Sequence, residues 1–182
     1  MHFIKLLLLT FFLIGCGQAD RGKAYVTSQD GGVSVIDLNS FEVIESLDIG
    51  GLPRGLGITD DGKFLVAANK DHASITVLDL ATKKVVSDIN VGINPEFVRI
   101  KDGLVFVSTE PSSTGKPPAK GDMKHEEEED DDDKIPAKVA VVDLALGKKI
   151  RDITAGPETE GIEFSADGTK IIITNEADNT IT

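Results

Sequence analysis

A chain of 182 residues with 31 acidic against 19 basic side chains, net charge −12, is a poor partner for nucleic acid. Its single Cys excludes an internal disulfide framework, so a folded domain must draw its stability from an apolar core. No Trp, one Tyr and many Val and Ile point to strands, and the length suits one domain.

In chain order the first element is a targeting segment. Met1 to Lys5 supplies one positive charge, and Leu6 to Ile14 supplies nine residues of which only Thr10 is not apolar. That is the size of a signal-peptide apolar region and about half the ~20 residues of a membrane-spanning helix. Leu13-Ile14-Gly15-Cys16 resembles the lipobox of bacterial lipoproteins, in which a small residue precedes a cysteine that takes a diacylglycerol before the signal is cut. The resemblance implies a signal over residues 1–15, Cys16 as the lipidated first mature residue, and a flexible tether over 16–21. It also implies a membrane partner through that lipid, in the bacterial cell envelope and facing the periplasm or the exterior. Gly17 after the cysteine favours the outer membrane of a diderm cell. An ordinary secretory signal is the alternative. Removing Lys5 with the signal leaves 18 basic against 31 acidic residues, net −13.

From residue 22 onward the sequence repeats. Asp61 to Thr76 aligns without gaps on Asp167 to Thr182, an offset of 106. Val33-Ser-Val-Ile-Asp37-Leu38 matches Ile75-Thr-Val-Leu-Asp79-Leu80 at an offset of 42, and Val139-Ala-Val-Val-Asp143-Leu144 follows 64 further on. Gly50, Gly92 and Gly156 keep the same offsets, so the unit is 42 residues and the third copy carries an excess of 22. Within a unit the apolar runs are short: Leu56 to Ile58, Phe64 to Ala68, Ile75 to Leu80 and Val85 to Ile89. Runs of this length between turn signals are strands. Asp61-Gly62 and Asp167-Gly168 suit tight hairpins whose central residues need positive φ. Four antiparallel strands recurring at this period predict an all-β chain, a β-propeller of four-stranded blades. The alternative is an open β-sandwich with accidental similarity.

Tyr25-Val26-Thr27-Ser28, Ile172-Ile173-Thr174-Asn175 and Asp61 to Asn69, each with the strand pattern that follows, resemble the YVTN repeats of bacterial propellers. The likeness covers residues 22–182 apart from an insertion. It implies seven blades in a complete protein, of which this chain carries three and part of a fourth, ending inside a strand at Ile181-Thr182. Relatives in this loose group include binding propellers, lactonase-like propellers, partners of quinoprotein dehydrogenases and the haem d1 domain of nitrite reductase. The fold does not choose among them.

Propellers bind ligands at the mouth of the central channel, at loops leading into each innermost strand. The repeat places Arg54, Glu96 and Glu160 at one such position in three blades. A mixed ring of this kind suits a small polar ligand or a metal, and charges that merely solvate a loop are the plain alternative. Of three histidines, His2 leaves with the signal, His72 lies in a polar loop and His125 in the insertion, so haem ligation requires His72 to reach the channel. Gly-x-Ser-x-Gly, His-Glu-x-x-His and Cys-x-x-Cys are absent from the sequence.

The insertion runs from Pro111 to Ala137. Its Pro, Ser, Gly and Lys cannot build a core, which predicts disorder. His125 precedes eight consecutive carboxylates, Glu126, Glu127, Glu128, Glu129, Asp130, Asp131, Asp132 and Asp133. Such a run repels itself into an extended spacer, and weak accumulation of divalent cations such as calcium is the metal reading. The spacing does not wrap one ion, and Met123 with His125 offers too few soft ligands for copper. No cofactor is expected. The leading expectation is a non-enzymatic, lipid-anchored envelope propeller that binds a protein partner or a small ligand. The second is an accessory or catalytic propeller of periplasmic redox metabolism.

Overall fold

The computed structural model describes residues 20–28, 32–111 and 135–182. The signal, Cys16, His125 and the carboxylates Glu126 to Asp133 lie outside the described residues. Among those described, every regular element is a strand. The first sheet holds β1 (Lys23–Ser28), β2 (Gly32–Asp37) and β3 (Glu42–Leu47). The second holds β4 (Pro53–Ile58), β5 (Phe64–Asn69), β6 (Ser74–Asp79) and β7 (Lys84–Asn90). The third holds β8 (Pro95–Lys101), β9 (Leu104–Thr109), β10 (Lys138–Asp143) and β11 (Lys148–Thr154), and the fourth β12 (Thr159–Phe164), β13 (Ile171–Asn175) and β14 (Thr180–Ile181). All neighbours pair antiparallel in chain order, giving about three propeller blades and part of a fourth.

The core lies between blades. Leu65, Ala67 and Leu78 of the second blade meet Val33, Val35 and Leu47 of the first, while Val66, Ala68 and Val77 face Val98, Val107 and Val142 of the third. A third layer joins Phe106, Val139 and Val141 to Ile162 and Ile173 of the fourth. Strand β5 is therefore covered on both faces, which is why Leu65 to Ala68 is an unbroken apolar run. Each fully buried Leu or Ile contributes about 1.5–3 kcal/mol. The outermost strands β3, β7 and β11 leave most of their side chains exposed.

The two Asp-Gly turns differ from the expectation. Gly62 and Gly168 alone take positive φ, 69° and 68°. Asp61 and Asp167 work through their carboxylates: Asp61 accepts from the Thr59 hydroxyl at 2.7 Å and Lys63 N at 3.1 Å, Asp167 from the Ser165 hydroxyl at 2.6 Å and Thr169 N at 3.0 Å. The two-residue hairpin with both φ positive is Asp102-Gly103, at 52° and 78°, in the third blade.

The Asn that ends strands β5 and β13 has a structural task. Asn69 accepts from Leu52 N at 3.2 Å and donates to Gly50 O and to the Thr76 hydroxyl at 3.0 and 3.2 Å. Asn175 repeats this, accepting from Gly156 N at 3.0 Å and donating to the hydroxyls of Thr180 and Thr182. Both are buried and tie the loop that enters the innermost strand of their blade.

Candidate ligand site at the mouth of the propeller

Strands β4, β8 and β12 are the inner strands, β8 touching both β4 and β12. Each begins with a bulge. Pro53 pairs with Asn69 and Leu56 with Ala67, so Arg54 and Gly55 face one residue of β5. Pro95 pairs with Thr109 and Val98 with Val107, and Thr159 with Asn175 and Gly161 with Thr174. Arg54, Glu96 and Glu160 thus occupy the bulged position of three successive blades, the device that turns a side chain out of the ladder. Close approach of β4 to β8 needs Gly55, where an added Cβ would press on Glu96 O and stand 3.0 Å from Phe97 Cα.

The structure brings Arg54 and Glu96 together as an ion pair with side chains only 16 and 14 % exposed, shielded from solvent. Arg54 also donates from Nη1 to Asn94 Oδ1 at 3.3 Å, and its carbonyl accepts from the Thr27 hydroxyl of the first blade at 2.6 Å. Glu160, from the fourth blade, is the exposed member of the trio.

Sequence reasoning missed a second tier. Lys70, Glu110 and Glu176 each follow the second strand of their blade, and their backbone N–H groups donate to Leu52 O, Asn94 O and Glu158 O at 3.1, 3.1 and 2.8 Å. Glu110 is buried, 3 % exposed, and its carboxyl hydrogen-bonds Glu96; Glu160 hydrogen-bonds Glu176. Burial, then the hydrogen bond and charge of Glu96, push Glu110 up to about 9 against the pull of Arg54. Glu160 is likewise raised, by partial burial first and by Glu176 next. Glu96 Oε2 and Glu110 Oε1 are buried, and no N–H or hydroxyl group of the protein donates to either. Asn94, buried with φ 49°, links the tiers by donating to Glu110 O at 3.2 Å while accepting from Arg54. The signal for the second tier was in the repeat: Glu176 follows Asn175 as Lys70 follows Asn69. Glu110 was hidden because the third-blade hairpin is shorter and Thr109 stands where Asn69 and Asn175 stand.

His72 lies in the exposed turn between β5 and β6, at the mouth end of its blade. Among the described residues no group of three or more His, Cys, Asp or Glu is arranged to hold a metal ion. Among the described residues His72 is the one histidine that could ligate a haem, and it does not belong to the carboxyl cluster.

Residues 16–104, just under half of the chain, match a family described as YNCE-like beta-propeller. The fold is a β-propeller. A stretch of 70 residues is 31 % identical to Protein NirF of Pseudomonas aeruginosa, covering 38 % of this chain and 18 % of NirF. In structure the chain is similar to a chain of Kuenenia stuttgartiensis hydrazine synthase, with a TM-score of 0.53 and 18 % identity over 85 % of this chain and 53 % of that one. The chain thus spans about a fifth of the curated relative and about half of the structural one.

Proposed function

We propose that this propeller is a non-enzymatic binding module of the bacterial cell envelope, held to a membrane through lipid on Cys16, whose axial mouth takes a small polar ligand. The observation that carries it is the shielded Arg54–Glu96 pair with Glu110 beneath it and Glu160 and Glu176 beyond, delivered by three blades. A scaffold that only needed solvated loops has no use for a buried carboxyl beside an ion pair, because desolvating such groups opposes folding. The described mouth holds Arg54, Lys70, Asn94 and carboxyl groups, an array of charged and hydrogen-bonding side chains that suits the binding of a polar ligand. The test is a thermal-shift screen of small polar compounds against wild-type protein and Glu96→Gln. A compound that stabilises the wild type and not the variant supports the reading, and a screen in which every stabilising compound is indifferent to Glu96→Gln refutes it. Labelling with a radioactive fatty acid, lost in Cys16→Ser, tests the anchor.

A redox propeller is the second reading, and the exposed His72 at the mouth end is its one structural support. A visible absorption band in purified full-length protein, lost in His72→Ala, would move the assignment there.

A further inference from the structure

We propose that the outer rim of the first two blades, at the end of the propeller opposite the mouth, is a membrane-contact surface. It rests on the phospholipid bilayer that holds the Cys16 lipid, so that the mouth faces away from that bilayer. This depends on the lipid anchor of the reading above and names the surface and the orientation that such an anchor imposes.

Three observations lead to it. First, the chain enters the fold at this rim. Asn39, in the turn between β2 and β3, accepts from Arg21 N at 3.1 Å and donates to Asp20 Oδ1 at 3.0 Å, and Leu38 N donates to Gly22 O at 3.0 Å. Asp20 is thereby fixed to the end of the first blade at which Lys23 pairs with Asp37. Four residues of extended chain reach at most about 14 Å, so lipid on Cys16 sets a bilayer beside this turn. Second, the rim is apolar where the fold gains nothing from it. Phe41 is 69 % exposed and holds φ at 59°, a conformation costly for a bulky side chain, and the third blade fills the same repeat position with Gly147 at 63°. Each outermost strand carries a bulge at its start, and the residue turned out is apolar every time: Ile44, Val86 and Ile150, 50, 56 and 44 % exposed. Val43 and Val85 are exposed beside the first two, and an ion pair between Lys83 and Glu45 joins these two blades. None of these apolar side chains belongs to the clusters between blades. Exposed apolar groups gathered in this way mark an interaction surface. Third, charge orients the molecule. Around the patch Arg21, Lys23, Lys83 and Lys84 stand against Glu42 and Glu45, while Asp20, Asp37 and Asp79 turn their carboxylates back onto backbone N–H groups of their own turns. The rim is close to balanced. The mouth end sets Arg54, Lys70 and Lys138 against an acidic majority that includes Glu96, Glu158, Glu160, Glu176 and Asp178. An anionic bilayer repels that end more strongly.

The short reach from Cys16 to Asp20 selects a bilayer over a protein partner as the occupant of this patch. An aromatic ring and aliphatic side chains flanked by basic residues suit the boundary between acyl chains and headgroups. The contact adds to the lipid anchor and stops the propeller from tumbling about its tether, so the mouth opens to water and a ligand reaches it from the aqueous side.

The chain holds no Trp, so a single introduced one reports alone. The full chain, purified with its lipid, is reconstituted on vesicles of phosphatidylethanolamine and phosphatidylglycerol as Phe41→Trp, at the rim, and as His72→Trp, in the exposed turn at the mouth end. On reconstitution the emission of Phe41→Trp should move to shorter wavelength and lose at least half its intensity to brominated phospholipid. His72→Trp should ignore the bromine and be quenched by acrylamide in the water. Adding Ile44→Ser and Val86→Ser, both at exposed positions, should cut the bromine quenching of Phe41→Trp severalfold without releasing protein from the vesicles. Protein that takes a fatty-acid label and floats with the vesicles, yet shows bromine quenching of His72→Trp equal to that of Phe41→Trp, or none of either, overturns the inference and leaves the anchor standing. A blue shift of Phe41→Trp that appears without vesicles and grows with protein concentration assigns the rim to a second copy of the chain and overturns it as well. Protein that neither takes the label nor floats sinks anchor and rim together.

Discussion

At the mouth, the second blade presents Arg54 and Lys70 from the two backbone positions at which the third presents Glu96 and Glu110 and the fourth Glu160 and Glu176. Beside these positions Asn69 and Asn175 brace the entry loops of the second and fourth blades, and at the far end of the inner strands Asp61 and Asp167 close the hairpins of the same two blades. Between the second and fourth blades, positions that hold the blade together repeat in kind, while positions that face the axis change sign. The difference separates architecture from recognition within one chain. It also explains why the basic blade is needed: Arg54 supplies the opposite charge that pairs with Glu96 beside a buried Glu110.

The largest expected effect comes from breaking the pairing between the two kinds of blade. Arg54→Ala leaves Glu96 shielded and unpaired, a loss of about 3 kcal/mol, the low end for a broken buried pair because the site is partly solvated. Denaturant unfolding at pH 8 measures it. Arg54→Ala combined with Glu96→Gln should recover much of the loss. A double variant as unstable as Arg54→Ala would show that Arg54 acts by packing alone.

Architecture is tested by Asn69→Ala, which removes the acceptor of Leu52 N and the donor to Gly50 O inside a buried site. A cost of about 2 kcal/mol is expected. It should be the same at pH 5 and pH 8, which sets it apart from the titrating carboxyl of Glu110. An Asn69 effect as pH-sensitive as that of Glu110→Gln would erase the distinction.

Glu110→Gln sharpens the contrast further. A carboxyl held up at about 9 contributes stability that is fully present below its ordinary value of 4.5 and is lost as pH rises through 9. Wild-type protein should therefore lose stability from pH 5 to pH 9 more steeply than Glu110→Gln, and the two melting curves should converge near pH 4. A variant with the wild-type slope would place the titrating group elsewhere.

Most of the fold was legible before the structure, because the 42-residue register fixes strand spacing and the unbroken run Leu65 to Ala68 marks a strand covered on both faces. Arg54, Glu96 and Glu160 were legible as one position for the same reason. Glu110 and Asn94 were not, since their part depends on which strand ends meet at the axis, and a bulge and a shortened hairpin shift that by residues a repeat alignment does not weigh. The role of Asp61 was misread in kind: positive φ belongs to Gly62, and the Asp serves as a carboxylate acceptor.

That correction yields the smallest prediction. Asp61 is exposed, yet the Thr59 hydroxyl first and the Lys63 side chain and backbone next hold its carboxyl down at about 2. A depressed carboxylate contributes stability that is present above its ordinary value of 3.8 and is lost as pH falls through 2. Asp61→Asn keeps the shape and one acceptor but removes the charge, so the melting temperature at pH 7 should drop by no more than about two degrees, as befits a solvent-screened contact. Near pH 2 variant and wild type should melt together. Asp167→Asn should behave alike, because the Ser165 hydroxyl and Thr169 hold that carboxyl at about 2 in the same turn. If either substitution alters ligand binding at the mouth, at the opposite end of the inner strands, the division between framework turns and recognition positions is wrong.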